Sequence, residues 1–308
     1  MKFSQAPSAV LMVRPKAFGF NQQTSATNAF QKNIEADVQS VRDQALLEFD
    51  KMVDMLRSND IEVIVVEDTA LPEKPDAIFP NNWISFHLDG TLVLYPMLAE
   101  NRRTERNNPV IAAIEKEYVI SKTLDLTSFE NQNKFLEGTG SVVFDYVNKI
   151  AYASRSSRTD EEVLQQLSEK LGFTTIVFDA VAEQGEVIYH TNVVMCIGTY
   201  FVIICLDAIN NDEDQEKLLE SFSHTNHKVI AISYEQMNLF AGNMMEVNAQ
   251  SGEPIVLLSQ KAFLSLLPGQ LDALSKFAEP LPVNIPTIES YGGGSVRCMV
   301  AGIFNPKR

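Results

Sequence analysis

Several function classes depend on residues that this sequence has in short supply. Its three cysteines, Cys196, Cys205 and Cys298, are too few and too odd in number for a disulfide framework, which fits a reducing compartment. Cys196 and Cys205 lie inside apolar runs (VVMCIG, FVIICL) and read as inert core residues. Lysine and arginine total 25 against 40 acidic residues, a formal net charge of -15, so a phosphate-tracking surface is not expected and the charge reads as solubility. No apolar run approaches the roughly 20 residues of a membrane span. The opening MKFSQAPSAVLMVRP has no continuous apolar stretch of signal-peptide length. A Walker motif and a dinucleotide fingerprint are also missing, because the glycines of Tyr291 to Ser295 are not followed by Lys-Ser/Thr. His224 and His227 form an HxxH spacing without the further ligand cluster a metal needs. The expectation is a cytoplasmic, soluble chain that binds neither nucleic acid nor membrane and holds no metal or organic cofactor.

What is present is regular. Of the 308 residues, 45% are apolar, enough for one large core or two modest ones. Pairs of short apolar runs joined by tight polar turns read as hairpins: NWISFH with TLVLYP, SVVFD with KIAYAS, and VVMCIG with YFVIICL. Amphipathic stretches follow at Asn101 to Lys116, Thr159 to Leu171, Asn211 to Phe222 and Ser259 to Leu267, with Thr159 and the acids after it as an N-cap signal. A further strand is expected after each helix, as at TTIVFD (174–179), KVIAIS (228–233) and PVNIPT (282–287). Ile84, Val143, Met195, Met245 and Arg297 recur at intervals of about 50 to 60 residues, the period of a supersecondary repeat. The unit is strand, strand, helix, strand. Five units account for residues 1–308 as a single domain if SVRCMV pairs with AVLMVRP, and Glu35 to Leu56 and IEVIVV then supply the fifth helix and strand. The alternative is an open α/β sheet whose spacing is accidental.

If five units surround an axis, polar residues at the start of each first strand face one another. Those positions hold Asp76, Asn81 and Asn82 (PDAIFPNNW), Glu137 (FLEGTGS), His190 and Asn192 (IYHTNVV), Asn243 (FAGNMMEV) and Cys298 (GGGSVRCM). A thiol, an imidazole and a carboxylate in one pocket form a nucleophile, a proton shuttle and an orienting acid. The three glycines before Cys298 allow close backbone approach and amide donors near a developing oxyanion.

The ordered run NAFQ, PDAIFPNNW, NRRTER, FLEGTGS, SSRT, YHTNV, FAGNM and GGGSVRCM resembles the guanidine-group-modifying superfamily of the pentein fold: arginine deiminases, dimethylarginine dimethylaminohydrolases and amidinotransferases. Its nearest likeness is to the citrulline-utilisation hydrolases. The resemblance implies a pseudo-fivefold α/β propeller and a C–N hydrolase in which Cys298 attacks the central carbon, His190 shuttles protons and Glu137 binds the substrate nitrogen. It also implies Arg103 and Arg158 as partners of the substrate α-carboxylate, beside Asp76, Asn81, Asn82, Asn192 and Asn243 in the substrate-binding set. Where deiminases carry an aspartate and a His-x-Asp, this chain has Asn82 and His190-Thr-Asn192. Neutral amides suit a ureido group better than a guanidinium, which favours citrulline. Hydrolysis of arginine or methylated arginine, amidino transfer, and a non-catalytic pentein binding protein remain the alternatives. The expected partner is a small amino-acid substrate, with the homo-oligomeric state open.

Overall fold

The computed structural model describes residues 4–32 and 37–308. Its strands are three to six residues long, too short to be stable alone, and they are gathered into small sheets. In chain order they are β1 (Ala9–Arg14), β2 (Glu62–Glu67), β3 (Ile84–Phe86), β4 (Thr91–Leu94), β5 (Lys122–Asp125), β6 (Val142–Asp145), β7 (Ile150–Ser154) and β8 (Thr174–Phe178). Then come β9 (Met195–Ile197), β10 (Phe201–Ile204), β11 (Lys228–Ala231), β12 (Met245–Asn248), β13 (Pro254–Ser259), β14 (Glu279–Val283) and β15 (Ala301–Ile303). They form five three-stranded sheets, β15-β1-β2, β3-β4-β5, β6-β7-β8, β9-β10-β11 and β12-β13-β14. Within each, the middle strand runs antiparallel to the first and parallel to the third. The parallel pairing requires a crossover, which a helix supplies.

The expected ββαβ repeat is the observed architecture, a pentein fold of five units. First strands such as β3, β6 and β9 are buried along their whole length and contact one another around an axis. Third strands such as β5 and β8 are partly exposed at the rim. The ring closes in the sheet that joins both ends of the chain, with Val10 opposite Gly302 and Leu11 opposite Ala301.

Several boundaries differ from expectation, each for a local reason. The helix expected from Asn101 is two pieces, Glu100–Arg103 and Asn108–Glu117. Pro109 fits only a first turn, and Asn107 caps the new start by accepting from Val110 N. Asp160, not Thr159, caps Glu161–Leu171, accepting from Glu162 N and Val163 N. The helix expected at Ser259 to Leu267 ends at Ser265, and a second begins at Pro268. The last third strand is Glu279–Val283 rather than 282–287, because Pro286 opens a helix. The helix expected from Glu35 is seen as Val38–Ser58, with Asp37 as N-cap; Glu35 itself lies outside the described residues. Its buried stripe of Ala45, Phe49, Met52, Val53 and Leu56 packs against β2 and the helix Pro286–Gly292. Each such fully buried side chain contributes roughly 1.5–3 kcal/mol of transfer free energy. Among the described residues no helix is long and apolar enough to cross a membrane.

One correction positions the site. SVRCMV does not pair with AVLMVRP: Val296–Met299 is a short helix, and the pairing strand is Ala301–Ile303. The same device precedes three other first strands, a turn of helix at Pro80–Asn82, Gly138–Ser141 and Thr191–Val194. In the remaining unit residues 239–242 form turns before β12. These turns pack on one another at one end of the axis and carry the polar residues singled out above.

Candidate active site

Cys298 sits in the short helix Val296–Met299, its amide donating to Ser295 O at 2.9 Å. Ser295 is itself anchored, its Oγ donating to Glu289 Oε1 at 2.7 Å. Two amide side chains reach the sulfur, Asn243 Nδ2 at 3.4 Å and Asn192 Nδ2 at 3.7 Å from Sγ. Burial pushes the thiol up; the Ser295 backbone, the Asn243 hydrogen bond, Arg297 and Asn192 pull the other way. The other two cysteines are buried, pushed up by desolvation to about 12 for Cys196 and about 11 for Cys205, as befits unreactive thiols.

His190 enters from the second neighbouring turn, as the residue before Thr191–Val194. Its Nε2 lies 2.9 Å from Glu137 Oε2, the carboxylate that precedes Gly138–Ser141. An ionised carboxylate accepts, so Nε2 carries the hydrogen and Nδ1, which makes no hydrogen bond among the described residues, presents a lone pair. Burial brings the imidazole down to about 4 against the pull of Glu137, so it is neutral at pH 7. Burial would raise Glu137, but Arg158 (Nη1 to Oε2, 3.3 Å), the His190 hydrogen bond and Arg102 outweigh it and hold the carboxyl well below the usual range. The arrangement is a neutral base oriented by a fixed anion.

Two glycines make this approach feasible. Gly138 has φ +50, and a Cβ there would lie 2.2 Å from Asn81 O. At Gly140 a Cβ would fall 2.6 Å from Asn82 Nδ2 and 2.9 Å from His190 Cε1 and Nδ1. The space left by that missing Cβ lets the amide and the imidazole converge.

His190 and Cys298 line one small pocket of about 280 Å³ with Asp76, Asn82, Arg102 and Arg158. Segment 21–28 covers it. Asn21 Nδ2 and Thr24 Oγ1 donate to Asp76 Oδ2 at 2.7 and 3.2 Å, Arg158 Nη2 donates to Thr24 O and to Thr27 Oγ1, and Asn28 Nδ2 donates to Gly293 O at 3.3 Å. Two polar atoms of the lining have no hydrogen-bond partner among the described residues: Asp76 Oδ1 and Asn82 Nδ2. Buried polar atoms are nearly always bonded, so these are the atoms a ligand would satisfy. Asp76 is raised by burial against the pull of Arg102 and Asn21. The orientation of Asn82 is determined: Arg102 Nη1 can only donate, and its 2.8 Å contact is with Oδ1, which leaves Nδ2 as the unpaired group.

The structure places the expected site residues unequally. Cys298, His190, Asp76, Asn82 and Arg158 share the pocket, and Glu137 stands behind His190. Asn192 and Asn243 lie against the sulfur rather than in the pocket lining. Asn81 is buried outside the lining, its carbonyl accepting from Thr139 Oγ1. Arg103 also lies outside it, donating to Met97 O and Leu98 O near Glu130; its neighbour Arg102 is the arginine in the pocket. Consecutive residues of the helical turn Glu100–Arg103 point about 100° apart, so only one of the two arginines can face inward. Arg102 is held by Glu105 through Nε and Nη2, both at 2.9 Å, an i,i+3 pair within NRRTER. Of the covering segment 21–28 only Asn28 falls within a motif, NAFQ; Asn21, Thr24 and Thr27 carry no motif signal. His224 is exposed, with Nδ1 on Glu220 O, whereas buried His227 spends its nitrogens on Thr225 Oγ1 and Gly198 O.

The family model of eukaryotic N,N-dimethylarginine dimethylhydrolases matches residues 14–305. Among solved structures, apo ArgZ, an arginine dihydrolase from the ornithine-ammonia cycle in cyanobacteria, superposes with a TM-score of 0.75 at 15% identity over 97% of this chain and 41% of that one. This chain therefore spans about two-fifths of that relative's length. The N-terminal domain of ArgZ bound to substrate gives a TM-score of 0.74 at 15% identity, covering 97% of this chain and 98% of that one. A dimethylarginine dimethylaminohydrolase variant in adduct with S-methyl-L-thiocitrulline gives 0.66 at 14% identity, covering 96% and 99%. At these identities the likenesses speak for the fold. No curated protein matches in sequence.

Proposed function

This chain belongs to the N,N-dimethylarginine dimethylhydrolase family, hydrolases of guanidino-type C–N bonds, and from that premise we propose that it hydrolyses the ureido group of citrulline. The observation that carries the reading is Asn82. Its Oδ1 is committed to Arg102, so it offers the pocket an N–H donor. A guanidinium has no acceptor for that donor, whereas a ureido group has its oxygen. The amides of Asn192 and Asn243 beside Sγ are likewise neutral where a cationic substrate would call for carboxylates.

In the proposed sequence the Cys298 thiol gives its proton to His190 Nδ1 as the sulfur adds to the ureido carbon, and the oxygen, as it takes up negative charge, accepts from Asn82 Nδ2. His190 Nδ1 delivers a proton to the departing δ-nitrogen, the C–N bond breaks, and ornithine leaves an S-carbamoyl enzyme. Water then adds with its proton going to His190 Nδ1, the C–S bond breaks, and the released carbamate falls to carbon dioxide and ammonia. Glu137 keeps the imidazole in the required tautomer, Asp76 Oδ1 accepts from the substrate ammonium, and Arg158 faces the α-carboxylate.

The test is to incubate the purified protein separately with citrulline, arginine and asymmetric dimethylarginine and to measure ornithine, citrulline and ammonia. Ornithine and ammonia from citrulline alone is the expected outcome. Turnover of either guanidine with citrulline inert would overturn the substrate assignment. Cys298→Ser should lower turnover by about 10³-fold or more without loss of fold; retention of most activity would overturn covalent catalysis.

A further inference from the structure

Arg297 precedes the nucleophile in sequence, yet its side chain leaves the substrate pocket behind. It lines a second, small cavity with Tyr146, Asn192, Cys196 and Glu246, a cavity whose lining does not include His190, Arg158 or Asp76. Its lining also draws on β3, β6, β9, β12 and β15, the first strands of all five units, which puts it on the ring axis behind the sulfur. Asn192 lines this cavity and also reaches Sγ, so its side chain stands between the cavity and the sulfur.

The guanidinium is under-partnered. Its one hydrogen bond is from Nη1 to Val300 O at 3.0 Å, and it forms no ion pair among the described residues. Glu246, the acid of the same cavity, is turned away and accepts from Thr199 N and Thr199 Oγ1. The arginines of the substrate pocket differ, Arg102 being matched by Glu105 and Arg158 by Glu137. Arg297 is half-buried, and a half-buried cation without a carboxylate gains when a neighbouring group becomes an anion. The group bonded to it along the chain is Cys298.

We propose that Arg297 is a positioning residue for the nucleophile: its unpaired charge, applied from the axial side, stabilises the Cys298 thiolate while leaving the pocket side open to substrate. The proposal rests on Cys298 being the nucleophile and answers a difficulty of that reading. A neutral substrate brings no charge to stabilise a thiolate, and His190 is neutral above about pH 4. The other groups facing the sulfur do not supply the charge. On the pocket side Arg102 and Arg158 are paired as above, Asp76 and Glu137 are acids, and Tyr189, raised by burial, stays protonated. On the axial side burial raises Tyr146, Cys196 and Glu246, and among the described residues lining the cavity Arg297 is the one basic side chain, its own basicity lowered by burial against the pull of Tyr146 and Cys298.

The test follows the pH dependence of iodoacetamide alkylation of the Cys298 peptide by mass spectrometry, without substrate, in the full chain. Arg297→Gln keeps a donor for Val300 O and removes the charge; it should raise the midpoint by about one pH unit or more and move the matching limb of kcat/KM equally. Arg297→Lys keeps the charge and should leave the midpoint within about half a unit. An unmoved midpoint in folded Arg297→Gln, or an equal rise in Arg297→Lys, overturns the proposal. Arg297→Met takes the place of the Gln variant should that variant not fold, with the same two outcomes. An unmoved midpoint sinks only the role of Arg297, whereas full turnover by Cys298→Ser sinks the nucleophile on which it rests.

Discussion

One hydrogen bond sets the chemistry that Asn82 offers. With Oδ1 held by Arg102 it can only donate to the pocket, so Asn82→Asp replaces a donor by an acceptor beside Asp76. Citrulline kcat/KM is expected to fall by roughly 10²–10³-fold, the loss typical of one oxyanion donor, with arginine gaining relative to citrulline. Unchanged citrulline kinetics would remove the ureido argument. Burial has a second consequence at this scale, visible in the histidines. His87, held at Ser85 Oγ by a 2.8 Å contact, is brought down by burial to about 4, as His190 is. A folded value below the unfolded one gives stability that is present above pH 6.5 and is lost as pH falls through 4. Each such histidine should forfeit roughly 2–3 kcal/mol between pH 7.5 and 4.5. His87 lies outside the pocket, so urea midpoints of His87→Gln and the unaltered protein at those two pH values isolate one share. Parallel losses in both proteins would contradict it.

The working elements are single turns of helix, not strands. Their brevity is useful, because a turn of three or four residues aims its side chains across the axis while the strand after it supplies anchorage. Gly140 tests this view, since an added Cβ must displace Asn82 or His190. Gly140→Ala should lower kcat by about 10²-fold, the penalty expected of an ångström-scale misplacement, while melting within a few degrees of the unaltered protein. Equal kcat would mean that the turn does not govern the convergence. The helical turns are also what the sequence concealed. VRC, GTGS and TNVV look like strand beginnings or loops, which would put Cys298 on a strand, whereas Val296–Met299 is helical. Proline and capping residues explain the other boundary shifts: Pro109 divides a helix, Pro286 ends the room for a strand, and Asp160 outcompetes Thr159 as a cap.

A closed ring leaves no unit independent of its neighbours. Leu11 in β1 is fully buried, pairs with Ala301 across the closure and shares a core cluster with Trp83 of the next unit. Leu11→Ala should cost about 2–5 kcal/mol. Because the closure binds all five sheets, fluorescence of the sole tryptophan, Trp83, and exposure of the Cys298 thiol should report the same lowered urea midpoint. Thiol exposure at an unchanged midpoint would show that the site does not depend on closure. At this scale the repeat was legible because period-two apolar runs and a spacing of about 50 to 60 residues survive in the chain whatever the loops do. Arg102 in place of Arg103 was not legible, because the phase of a four-residue helical turn is decided by what it packs against.

The sequence by itself determined the strand, strand, helix, strand unit, the count of five, the closure through the chain ends and the residues able to do chemistry, since side-chain type and apolar period are local properties. Only the tertiary structure decided which way each polar group faces. Asn82 as a donor, His190 with Nδ1 presented to the pocket, Asn192 and Asn243 at the sulfur, and Arg297 on the axial side each depend on a partner, or on a space, that lies outside their own segment of chain. Orientation of this kind is a non-local property: a hydrogen bond between residues 20 to 106 positions apart has no imprint in the order of either neighbourhood.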